Sequence, residues 1–87
     1  LMNKLQMFSQ ERVDIYVWHD AQIARVKSIY IPRIKALDKQ LNMVRGRVGD
    51  TTFNDVLKER DTENEAYQQA LRDLDEITRI KLTKIGE

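Results

Sequence analysis

Apolar residues at Ile23, Val26, Tyr30, Ile34, Leu37, Leu41, Val44 and Val48 recur at gaps of three and four, and the row runs straight across Pro32. Such spacing lays every one of them on one face of a helix. A strand would need alternation every second residue, so this row restricts the chain to long helices packed on an apolar face. With Gly 3 and Pro 1 among 87 residues, and 33% charged side chains, nothing in the composition argues for sheet.

Pro32 sets the main ambiguity. Proline has no N–H to reach the carbonyl of Ser28, and it disfavours helical backbone at Ile31. A true break would let the apolar face turn, and a capping residue would reopen the helix. Here the face continues, and Ile31 is a poor cap. The successive four-residue gaps at Val26, Tyr30 and Ile34 form a stutter that absorbs a kink. The expectation is one arm kinked near Pro32, with a three-helix bundle as the alternative if the chain breaks there.

Ser9 reads as the cap of that arm, with Glu11 in its first turn and Phe8 and Val13 as a hydrophobic staple, leaving residues 1–8 as a tail. Gly46, Gly49 and Asp50 mark a turn at about 46–51, and Thr51 or Thr52 caps the next helix. The arms then span about 9–47 and 52–85 within a single domain. The second carries Phe53, Val56, Leu57, Tyr67, Leu71, Leu74, Ile77, Ile80, Leu82 and Ile85. Folding about Gly49 places Leu41 on Leu57, Tyr30 on Tyr67, Val26 on Leu71 and Ile23 on Leu74. Arg60, Glu63 and Asn64 interrupt the seam opposite Ile34 and Leu37.

Charge supports this all-α antiparallel hairpin. Residues 25–47 hold seven basic side chains and one acid, a net +6, while residues 50–76 hold nine acids and three basics, a net −6. Opposed fields of this kind favour side-by-side antiparallel arms.

The same inventory excludes most chemistry. There is no Cys, the serines are Ser9 and Ser28, and His19 is the sole imidazole. Nine helical residues separate His19 from Ser28, a rise of about 13 Å, too far for a nucleophile and its base. One His rules out paired-His metal sites, and His19 beside Asp20 reads as a solvated helix residue. The acid pairs Glu59/Glu63 and Asp61/Glu65 lack the phosphate-binding groups and facing acidic helix of a Mg²⁺ site. No cofactor, metal or catalytic residue is expected.

Arg25, Lys27, Arg33, Lys35, Lys39, Arg45 and Arg47 provide enough charge for several phosphate contacts, so nucleic-acid binding is the alternative function. The overall charge of +1 and the absence of interleaved stacking aromatics weigh against it. No apolar run approaches the roughly 18–20 residues of a membrane span and no signal peptide is visible, so a cytoplasmic place without a membrane partner is expected. Leu1 ahead of Met2 reads as a preparation remnant or the start of a fragment.

What remains is surplus apolar surface. In "VDIYVW", Val13, Tyr16 and Val17 are expected toward the seam while Ile15 and Trp18 point elsewhere. Ile77, Ile80, Leu82 and Ile85 are similarly spread round the second arm, and the tail adds Phe8. Two helices cannot cover all sides of each other. Phe8, Ile15, Tyr16, Trp18, Ile77, Ile80, Leu82 and Ile85 are therefore the candidate protein interface. The expected function is a non-catalytic protein-interaction or oligomerisation module, such as an adaptor, inhibitor, chaperone or assembly component. It would be completed to a four-helix bundle by dimerisation or covered by a heterologous protein.

Overall fold

The computed structural model describes residues 4–45 and 51–86, with side chains from Gln10 onward. Two helices account for nearly all of it: α1, Lys4–Val44, and α2, Thr51–Lys84. At about 1.5 Å per residue they run about 61 and 51 Å. They lie antiparallel in a rod of 69 × 17 × 12 Å. The expected register is observed, with the Tyr30 and Tyr67 rings stacked at 5.7 Å and 22°.

The arm carrying Pro32 stays a single helix, as expected, while two expectations about its N-terminal end change. Pro32 lies inside α1, which runs unbroken past it, so the three-helix alternative does not form. The ring is tolerated because residue 32 faces solvent. Neighbouring Ser28, also exposed, donates its hydroxyl to the Arg25 carbonyl at 2.7 Å. Ser9 is within α1 rather than capping it, and residues 4–8 are helix rather than tail. α2 begins at Thr51, so Thr51 and Thr52 lie within the helix rather than capping it, while Gly46, Gly49 and Asp50 lie outside the described residues. At its far end α2 closes through Ile85 N–H to the Leu82 carbonyl (3.2 Å) and Gly86 N–H to the Thr83 carbonyl (3.0 Å). Gly86 has φ +90°, the left-handed conformation that glycine adopts without a Cβ clash.

The core is thin. Among the described residues only Leu37 (8% exposed), Leu74 (9%) and Thr78 (7%) are buried. The rest of the seam is half-buried, including Ile15, Trp18, His19, Gln22, Ile23, Val26, Tyr30, Ile34, Leu41 and Val44 on α1, with Phe53, Val56, Leu57, Tyr67, Ala70 and Leu71 on α2. Beyond Leu74 the α2 seam steps through Thr78, Lys81 and Ile85, gaps of four, three and four. That step turns Ile77 and Ile80 out to solvent, although both carry seam-like side chains.

Thr78 Oγ1 is buried and has no hydrogen-bond partner. An unmatched hydroxyl costs about 1–3 kcal/mol of desolvation. Thr78→Val keeps the shape and removes that cost, so urea unfolding should show a gain of about 1 kcal/mol. A loss would mean the hydroxyl is satisfied in solution.

The polar interruption is bridged by ion pairs. Arg60 Nε lies 3.8 Å from Asp38 Oδ1 and 3.4 Å from Asp61 Oδ1, and Arg33 Nη1 lies 3.9 Å from Glu63 Oε2. Arg60 Nε is nonetheless buried with no hydrogen bond, so these contacts balance its charge without satisfying its proton. Half-exposed pairs at these distances add little stability and serve mainly to hold register.

Candidate interaction surface

At the open end of the hairpin the faces of α1 are exchanged relative to expectation. Ile15 and Trp18 are half-buried against α2, whereas Val13, Tyr16 and Val17 are 52%, 44% and 63% exposed. The seam here passes through Ile15, Trp18, His19 and Gln22. At about 100° per residue that leaves positions 13 and 17 on the outer side. The Lys81 ammonium sits 3.5 Å from the Trp18 ring centroid, a cation–π contact that ties the two helices together. Gln22 and Lys81 therefore occupy seam positions that hydropathy assigns to solvent.

His19 also departs from expectation. It is 22% exposed by side chain rather than solvated, with Nε2 at 3.1 Å from Asp75 Oδ1 across the seam and Nδ1 at 3.5 Å from Asp20 Oδ1. It acts as a second tie between the helices. Among the described residues no group of three His, Asp or Glu side chains is placed to hold a metal ion.

Beside Ile15 an open cleft of about 330 Å³ is lined by Glu11, Asp14, Lys81, Lys84 and Ile85. The acids belong to α1 and the lysines to α2, so the two rails carry opposite charge. Leu82 and Ile85 are half-buried, Ile77 and Ile80 are exposed, and the side chain of Phe8 lies outside the described residues. The structure thus brings Ile15, Trp18 and Ile85 to the open end, with Ile77 and Ile80 on the adjoining flank of α2.

Besides Val13 and Val17, two further exposed residues have no counterpart among the expected interface positions: Ile29 at 41% and Met43 at 75%. A signal for them exists. Ile29, Ala36 and Met43 are spaced by seven, and the same spacing runs back through the polar Gln22 to Ile15. A strict seven-residue row drifts about 20° per repeat on a straight helix. Ile15 and Gln22 are accordingly half-buried and the last three exposed, as the row slides from the seam onto one flank.

Of the basic residues, Arg33 pairs with Glu63 and lies 5.9 Å from the Tyr30 ring centroid. Arg25, Lys27, Lys35, Lys39 and Arg45 are exposed, and Arg47 lies outside the described residues. Their helical positions spread over every side of α1 except the seam, so they form no single stripe. Among the described residues no helix is long and apolar enough to cross a membrane. Comparison with protein-family models, curated proteins and solved structures gave no significant match.

Proposed function

We propose that this hairpin is a non-catalytic protein-interaction module that completes its core against further helices, forming a four-helix bundle with a second copy or with a heterologous protein. One observation carries this: seven large apolar side chains stay exposed among the described residues, while only two apolar residues are buried. A chain that fully buries so few of its large apolar side chains and leaves several exposed has an unfinished core. Aromatic anchors such as Trp and Tyr are among the residues that supply most binding energy at such surfaces.

Trp18 is the one tryptophan, so its emission reports directly on the open end. Association should shift that emission to the blue and reduce quenching by acrylamide. Since Lys81 already covers one face of the ring, Trp18→Ala should weaken association by about tenfold, the equivalent of about 1.4 kcal/mol. Because Trp18 also ties α1 to α2 through Lys81, the variant should melt earlier while keeping its helical circular dichroism at low temperature. A variant that instead unfolds as a monomer would place Trp18 in the hairpin's own core and remove the open end from the surface.

A further inference from the structure

We propose that the partner is a second copy of this chain, seated on the flank that carries Ile29 and Ile77, with the two-fold axis parallel to the rod so that each α1 lies against the other copy's α2. This rests on the interaction role proposed above and commits it to one occupant, one face and one orientation.

Area comes first. A compact protein of 10.3 kDa exposes about 5,350 Å² by the usual size scaling. This hairpin exposes 6796 Å², about 1,450 Å² more than a compact chain of that mass. Two copies covering that surplus would bury about 2,900 Å² together, within the roughly 2,000–5,000 Å² of obligate homodimers.

The choice of face follows from where the exposed isoleucines fall. Helical position puts Ala21, Ile29 and Ala36 on the same side of the rod as Ala66, Ala70 and Ile77. It is also the side of the Arg33–Glu63 and Trp18–Lys81 contacts, whereas the His19–Asp75 and Asp38–Arg60 contacts lie on the other. Large and small side chains alternate along this flank. In the proposed arrangement Ile29 of one copy meets Ala66 and Ala70 of the other, and Ile77 meets Ala21, each large residue opposite a small one. Interdigitation of that kind is what close-packed helix faces require.

Charge selects the axis. On this flank α1 presents Asp14 and then Arg25, and at matching heights α2 presents Lys84 and Asp73. With the axis parallel to the rod, each meets its opposite in the other copy. Arg25 and Lys84 have no ion-pair partner of their own among the described residues. A two-fold perpendicular to the rod would instead lay α1 on α1 and α2 on α2. At mid-rod it would set Arg25 near Arg25 and Asp73 near Asp73, a costly juxtaposition of like charges.

The chain has no cysteine, so introduced thiols report cleanly. Ile29→Cys and Ala66→Cys would be made separately, with circular dichroism confirming that each folds, and the mass of each followed by sedimentation equilibrium. Both should be dimers. Mixed, exchanged and oxidised, they should give the Ile29→Cys/Ala66→Cys disulfide at least tenfold faster than either variant links to itself. In the proposed bundle the two α1 helices are diagonal, about 14 Å apart for neighbours spaced by about 10 Å, beyond the reach of a disulfide. Rapid self-linking of Ile29→Cys would overturn the orientation, since a perpendicular axis passing close to residue 29 brings its two copies together. A monomer by mass up to millimolar concentration would overturn the second copy as occupant. Capture of a different protein by that monomer, lost in Trp18→Ala, would still leave the interaction role standing, while no capture at all would remove both.

Discussion

Leu74→Ala is expected to lower the unfolding free energy by about 2–3 kcal/mol. Removing a buried leucine side chain costs about 2–5 kcal/mol, depending on how far the surroundings relax. Leu74 is 9% exposed and belongs to a seam that is otherwise half-open, so partial collapse should keep the cost in the lower part of that range. For a domain of 87 residues the whole margin is about 4–13 kcal/mol at the usual value per residue. One substitution therefore removes a large share of it. Equilibrium urea unfolding at a fixed protein concentration checks this, with concentration held because association itself adds apparent stability. Val17→Ala, at a site 63% exposed, should change stability by no more than about 0.5 kcal/mol. If the two substitutions cost the same, the seam through Leu74 is not where the hairpin's stability resides.

The register was legible because two independent constraints agree on it. Arms of similar length folded about one glycine cluster must run antiparallel and pair residues at a nearly constant sum, and opposed charge favours the same pairing. Tyr30 on Tyr67 follows from that alone. Hydropathy did not reveal which residues turn inward. Ile77 and Thr78 are adjacent, and periodicity prefers the isoleucine, yet the seam's step of four from Leu74 selects the threonine. Lys81 takes a seam position because its long stem and ammonium can lie over the Trp18 ring, a contact visible only once both helices are placed. The seven-residue spacing from Ile15 to Met43 interleaves with the seam row on the same helix, and the amide of Gln22 interrupts its apolar character. A single pass for helical spacing therefore misses it, although it begins in the seam and ends outside. The helical state of residues 4–8 was hidden for a different reason, since Ser9 followed by Glu11 forms a plausible cap that the chain does not use.

Pro32→Ala should raise the unfolding free energy by about 2 kcal/mol. Proline in a helix interior is about 3 kcal/mol less favourable than alanine, because it lacks the N–H and its ring crowds the preceding turn. α1 is continuous on both sides of residue 32, so alanine can donate to the Ser28 carbonyl without rearrangement. Part of the gain is offset because proline also restricts the unfolded chain, an effect of about 0.4–1 kcal/mol. Residue 32 is exposed, so no packing contact is lost. At about 4–8 °C per kcal/mol for a domain of this size, the melting temperature should rise by about 8–16 °C. Both rows of α1 cross this point, the seam row between Tyr30 and Ile34 and the seven-residue row between Ile29 and Ala36. A helix that regains its hydrogen bond at Ser28 should hold both rows at least as firmly, and association should not weaken. Destabilisation beyond about 1 kcal/mol would show instead that the fixed φ of proline is required there, and that α1 in solution turns at Pro32 rather than running through it.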